Sequence, residues 1–206
     1  MTDGGGYPIP GRVHRVEETI QRSRFITTLA HGPDPDAAHR CLQTIRDEFP
    51  DATHHCWAFV AGPPGSSASV GMSDDGEPHG TAGRPMLTTL LHSGVGEIVA
   101  VCARYYGGTK LGAGGLTRAY SGGVKLALEE LPLDQRIDRA LVEIEVAYPF
   151  VDGLQRLLDE LDAPLERETY AARVRYEVAV PETALPRLER SLADLTSGDG
   201  TVRRLR

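Results

Sequence analysis

The chain has 206 residues, 40% hydrophobic and 25% charged, with 22 Lys+Arg against 29 Asp+Glu and a formal charge of −7. This is ordinary globular usage, which excludes wholesale disorder, and no run approaches the ~20 apolar residues of a membrane helix. The acidic balance also argues against a protein that coats nucleic acid through bulk charge. Neither a basic nor an apolar segment opens the chain, so no secretory signal is read in MTDGGGYPIP. Three widely spaced cysteines, Cys41, Cys56 and Cys102, read as reduced, buried thiols, and the expected location is the cytoplasm.

After a polar N-terminal segment, Arg22–Leu29 reads as a strand. Asp34–Phe49 opens with Asp, Pro and Asp and sets Ala38, Leu42, Ile45 and Phe49 on one face, which predicts a helix. His55–Ala61 is a second strand, 62–71 a Gly/Pro/Ser loop and 73–78 a tight turn. Arg84–Leu91 is helical, with Pro85 in its first turn. Glu97–Tyr105 is apolar enough for a central strand. A Gly-rich loop then leads to a helix over Leu116–Leu131, in which Gly122 and Gly123 suggest close backbone packing.

A domain boundary is expected near Leu131–Asp138, which holds Pro132 and several charges, giving domains 1–133 and 134–206. Beyond it Val142, Ile144 and Val146 alternate with acids, and Phe150, Leu154, Leu157, Leu158 and Leu161 mark a helix. Tyr170–Val180 reads as a long strand to which Leu165–Thr169 can pair. Leu185, Leu188, Leu192 and Leu195 form a second helical stripe before a last strand at Thr201–Leu205. The order β-α-β-β-α-β is the ferredoxin-like split βαβ pattern. The fold class is α+β, with two small domains.

Chemistry concentrates in two segments. From Ile98 to Leu128 the chain carries Arg104, Lys110, Arg118 and Lys125 and no acid. Gly107, Gly108, Gly112, Gly114 and Gly115 allow close backbone approach, and the N–H groups of the following helix favour an anion. With Arg104, Thr109, Lys110 and Arg118 around it, the segment reads as a phosphate receptor, with Tyr105 or Tyr106 available for stacking. The competing reading is glycines that serve packing alone. The letters match neither a Walker loop nor a complete dinucleotide fingerprint, and no cofactor is expected.

The second segment, SDDGEPHGTAG at 73–83, gathers Asp74, Asp75 and Glu77. Three readings stay open: a Mg²⁺ or Ca²⁺ cluster, a self-capping turn around Gly76, or pairing of the carboxylates with Arg84 or Arg104. His54, His55 and Cys56 lack the spaced partners of a zinc site. No residue is assigned a catalytic role and no metal is assigned.

Taken together, DDGEPHGTAGRP at Asp74–Pro85 and ARYYGGTKLGAGGLTRAYS at Ala103–Ser121 resemble the signature of the YigZ/IMPACT family. SRF at Ser23–Phe25 and ATHHCWAF at Ala52–Phe59 add to the resemblance. It implies a first domain like the fourth domain of elongation factor G and a ferredoxin-like second domain. Eukaryotic relatives regulate translation by competing for an activator of a starvation kinase, through an appended domain this chain lacks. The expected function is a non-enzymatic, translation-associated protein that binds RNA or the ribosome, with neither membrane nor DNA as partner. The alternatives are a docking module for a translation factor, or a hydrolase with its cleft lined by Asp74, Asp75 and Glu77.

Overall fold

Eleven strands and five α-helices alternate along residues 6–205, the part of the chain described by the computed structural model. They divide into one unit over Tyr7–Arg136 and another built on Ile137–Arg206. The arrangement is α+β in both. Among the described residues no helix is long and apolar enough to cross a membrane.

The first unit runs β1 (Tyr7–Pro10), β2 (His14–Ile20), β3 (Ser23–His31), α1 (Pro35–Glu48), β4 (His54–Val60), β5 (Val70–Ser73), α2 (Gly83–Leu91), β6 (Ile98–Tyr105), α3 (Gly112–Glu129) and β7 (Leu133–Arg136). Five strands form an antiparallel sheet in the order β2-β3-β6-β4-β5. Helix α1 packs Ala38, Leu42 and Ile45 on one face, against Ile26, Val99 and Val101. Helices α2 and α3 cover the other face with Met86, Leu90, Leu116, Tyr120 and Val124. Strand β6 is therefore apolar on both sides, and Ile98–Arg104 is buried without interruption. Asp34 starts α1 as expected: its carboxylate accepts from Ala37 N at 2.7 Å, a cap worth about 1 kcal/mol.

In this unit four expectations need correction. The polar N-terminal segment contains β1 and β2. β2 is an edge strand with only Val16 and Ile20 packed against the core, so charges crowd its alternation. β1 pairs with β7, exposed at every residue, inside the stretch read as a boundary. The loop expected over 62–71 ends in β5, which pairs with β4. Helix α3 starts at Gly112 rather than near Leu116, so Gly112, Gly114 and Gly115 form its first turn.

The second unit runs β8 (Arg139–Val146), α4 (Val151–Glu160), β9 (Leu165–Tyr170), β10 (Val174–Pro181), α5 (Leu185–Thr196) and β11 (Thr201–Arg204). Its antiparallel sheet has the order β11-β8-β10-β9, the split βαβ topology. The long strand expected over Tyr170–Val180 is in fact a hairpin: Tyr170 ends β9 and pairs with Val174 across a short turn. Val142, Ile144, Val146, Tyr176 and Val178 face Leu154, Leu158, Leu188 and Leu192. Glu143, Glu145, Arg175 and Arg203, which alternate with these core residues, are tied in cross-strand ion pairs, Arg175–Glu145 at 2.7 Å and Arg203–Glu143 at 3.0 Å.

Candidate functional site

The turn after β5 and the end of β6 are joined by a buried ion pair between Glu77 and Arg104. Tyr120 of α3, fully buried, donates its hydroxyl to the same Glu77 oxygen at 2.7 Å. Burial pushes the Tyr120 phenol far above its usual value, which keeps it a neutral donor. The second terminal nitrogen of Arg104 donates to Ser23 Oγ at 3.2 Å. Its guanidinium lies between the rings of Phe25 and Tyr106, 5.2 and 5.5 Å from their centroids. Arg104 Nε is buried and has no hydrogen-bond partner among the described residues.

That arginine lines an open cleft of about 440 Å³. The turn Gly76–Pro78 forms one side, and Lys110, Gly112 and Ala113 at the start of α3 form the other. Tyr106 and His54 complete it. His54 Nδ1 donates to the Asp75 carbonyl at 2.8 Å, which fixes the ring at the edge of the cleft. Gly108 and Gly112 adopt φ of +83° and +73°, so the loop bends sharply on both sides of Thr109–Leu111. Lys110 is exposed at the tip and has no acidic partner among the described residues. Free helical N–H groups and Lys110 together offer hydrogen-bond donors and positive charge, and the lining carboxylate, Glu77, is already paired.

The three carboxylates of the acidic turn diverge. Asp74 accepts from Gly80 N, Ala82 N and Gly83 N at 2.7 to 3.0 Å and so caps α2. Burial raises its carboxyl pKa, but these N–H groups outweigh that and hold it below the ordinary range. Asp75 accepts from His55 N at 2.6 Å and Arg46 at 3.0 Å, fixing the turn to β4 and α1. Only Glu77 lines the cleft; Asp74 faces a neighbouring depression beside Arg84 and His79. The carboxylate-lined hydrolytic cleft considered from the sequence is therefore not formed, and among the described residues no group of three or more His, Cys, Asp or Glu could hold a metal.

Of the residues expected around an anion, the structure brings Arg104, Lys110 and Gly112 to one cleft. Thr109 and Gly108 are exposed beside it, and Gly114 and Gly115 lie in the first helical turn. Tyr105 turns away, with Arg24 stacked on its ring at 5.4 Å. Arg118 lies farther along α3, beside Glu18 and Gln21. Gly107 N donates to Ser23 Oγ and Tyr106 N to Thr53 Oγ1, at 3.2 and 3.1 Å. The roles of Ser23, Thr53, His54 and Tyr120 were not apparent from the sequence, although all four lie in its quoted motifs.

Residues 21–128 match the Impact N-terminal domain, and residues 144–199 match a domain of unknown function, DUF1949. The chain belongs to the IMPACT family. It is 45% identical over 190 residues to the IMPACT family member YigZ of Escherichia coli, covering 92% of this chain and 93% of that protein. An IMPACT family member of Haemophilus influenzae is 39% identical over 192 residues, 93% of each chain. The Bacillus subtilis member YvyE is 33% identical over 91% of this chain and 85% of its own length. A crystal structure described as that of a hypothetical protein is similar over 98% of both chains, with a TM-score of 0.70 and 42% identity.

Proposed function

We propose that this protein is a non-enzymatic, translation-associated protein that binds RNA or the ribosome in the cytoplasm, holding RNA phosphates at the cleft between Gly76–Pro78 and the start of α3. The observation that carries the reading is Lys110, unpaired among the described residues, beside the free N–H groups at the start of α3, in a cleft whose lining carboxylate, Glu77, is already tied to Arg104. A helix N-terminus and an ammonium together favour a phosphate, whose oxygens accept from both. Outside the cleft, Arg84 and Lys125 on the neighbouring α2–α3 face and Arg118 farther along α3 are also exposed and make no ion pair among the described residues, in a chain of net charge −7. Cations gathered on one part of an otherwise acidic protein favour a polyanion there and repel it elsewhere. Tyr106, 46% exposed, offers a ring face on which an unpaired base stacks. The family resemblance to translational regulators points the same way. All three carboxylates of the turn already have protein partners, which favours binding over hydrolysis.

The test is fluorescence anisotropy of a labelled RNA hairpin across a KCl series. Each lost phosphate contact lowers the slope of log K against log salt by about 0.7–0.9. Lys110→Ala with Arg118→Ala is expected to weaken binding and flatten the slope by roughly 1.5. An unchanged affinity and slope refutes the reading.

A further inference from the structure

A second depression, a groove of about 860 Å³, lies between α2 and α3. Arg84, Thr88, Thr89 and His92 line it from α2, and Ser121 and Lys125 from α3. Its polar groups have an unusual bias. Thr88 Oγ1 donates its hydrogen to the Arg84 carbonyl and Thr89 Oγ1 to the Pro85 carbonyl, both at 3.0 Å. Ser121 Oγ donates to the Thr117 carbonyl at 2.8 Å. His92 Nδ1 faces the Thr88 carbonyl at 2.7 Å, and since a carbonyl only accepts, the ring proton sits on Nδ1. In these three hydroxyls the one hydrogen is already used, so they meet a ligand with lone pairs, as does His92 Nε2. Thr117 Oγ1, also in the lining, makes no hydrogen bond among the described residues and keeps its hydrogen to donate. Arg84 and Lys125 supply positive charge at its walls, against one exposed carboxylate, Glu129, at the end of α3.

A ligand that suits this groove must carry negative charge and donate hydrogen bonds at once. A phosphate alone meets the cations but brings only acceptors to the hydroxyls. The ribose–phosphate backbone of RNA supplies both, because each 2′-hydroxyl is a donor placed beside its phosphates, and deoxyribose has none. The groove and the phosphate cleft share one helix: Gly112, Ala113 and Leu116 of α3 line the cleft, and Thr117, Ser121 and Lys125 line the groove. From Gly112 to Lys125 the helix rises about 20 Å, so one backbone can run along both.

We infer that the α2–α3 groove binds the RNA backbone by accepting hydrogen bonds from ribose 2′-hydroxyls, so that the protein selects RNA over DNA without reading bases. This rests on the phosphate-binding reading above and adds to it the class of sugar that is recognised.

The experiment titrates the full chain into one hairpin sequence made as RNA, as DNA and as fully 2′-O-methylated RNA. The methylated hairpin keeps the charge and the A-form helix but cannot donate from the 2′ position, which separates the donor from the shape. RNA is expected to bind about tenfold more tightly than either of the others, the worth of one or two good hydrogen bonds. Thr88→Val with Ser121→Ala, small changes at accessible helix positions, is expected to narrow that preference. Equal affinity for RNA and its 2′-O-methyl form, with the salt slope still dependent on Lys110, overturns the inference and leaves the phosphate reading intact. Displacement of the RNA by polyglutamate as readily as by unlabelled RNA also overturns it, since the groove would then read charge alone. Failure of all three hairpins to bind removes the phosphate reading itself.

Discussion

Glu77 and Arg104 are 27 residues apart in sequence and form an ion pair that is buried on both sides, with relative side-chain exposures of 3% and 5%. The pair fixes the turn after β5 against the end of β6, and Tyr120 adds the third edge from α3. It thereby sets the width of the cleft from which Lys110 projects. Loop and helix would otherwise be free to drift by more than the hydrogen-bond distances an anion site tolerates.

Removing one partner from such a pair leaves a charge in the core with nothing to balance it. Glu77→Gln and Arg104→Met are each expected to destabilise the protein by about 3–5 kcal/mol in urea denaturation. The combined variant is expected to cost less than the sum of the two, because the desolvation penalty disappears with the pair. Strict additivity of the three measurements would show that the two groups do not depend on each other.

How much of this was legible in the sequence differs from residue to residue. Helix α1 could be read because its cap Asp34 and its apolar stripe lie within one short segment. The alternation of the second unit was equally plain, since one face of its sheet is solvated and one is covered. Strands β1 and β7 were not, because Pro8 and Pro10 and the exposed Leu133–Arg136 look like linker and become strands only by pairing with each other. The start of α3 was hidden by glycines that are poor helix formers. At the site, the density of glycine and cations marked the right segment. Pairing of the acidic turn with Arg104 was one of three readings left open there, and Glu77 makes it; that Ser23 takes the other terminal nitrogen depends on a contact across 81 residues, which no local pattern contains.

Adjacent glycines in α3 offer a matched comparison. A Cβ on Gly123 would lie 2.5 Å from Thr27 Oγ1, whereas one on Gly122 meets nothing within 4 Å. Gly122→Ala is therefore expected to stabilise the protein by about 0.5–1 kcal/mol, the ordinary gain in a helix interior. Gly123→Ala is expected to destabilise it by about 1–3 kcal/mol, as α3 is pushed off β3. Thermal denaturation of the two variants side by side checks the difference in sign.

Acid sensitivity of the first unit follows from two carboxylates. Glu97 is buried at the start of β6 and accepts from Tyr7 Oη at 2.8 Å and from His31 Nε2 at 2.6 Å. Burial alone would raise its pKa, but the His31 and Tyr7 hydrogen bonds, with the Arg136 charge 3.7 Å away, bring it below the usual value. Asp74, held by three backbone N–H groups, is lowered as well. A group whose pKa is lower folded than unfolded binds fewer protons in the native state, so its stabilisation is complete above the unfolded value, about 4 for these carboxyls. That contribution is lost as the pH falls through the folded value. The urea midpoint is thus expected to drop below about pH 4, and Glu97→Gln and Asp74→Asn should each lower the neutral-pH midpoint while making the acid limb shallower. An acid limb of unchanged steepness in both variants would assign the sensitivity to other groups.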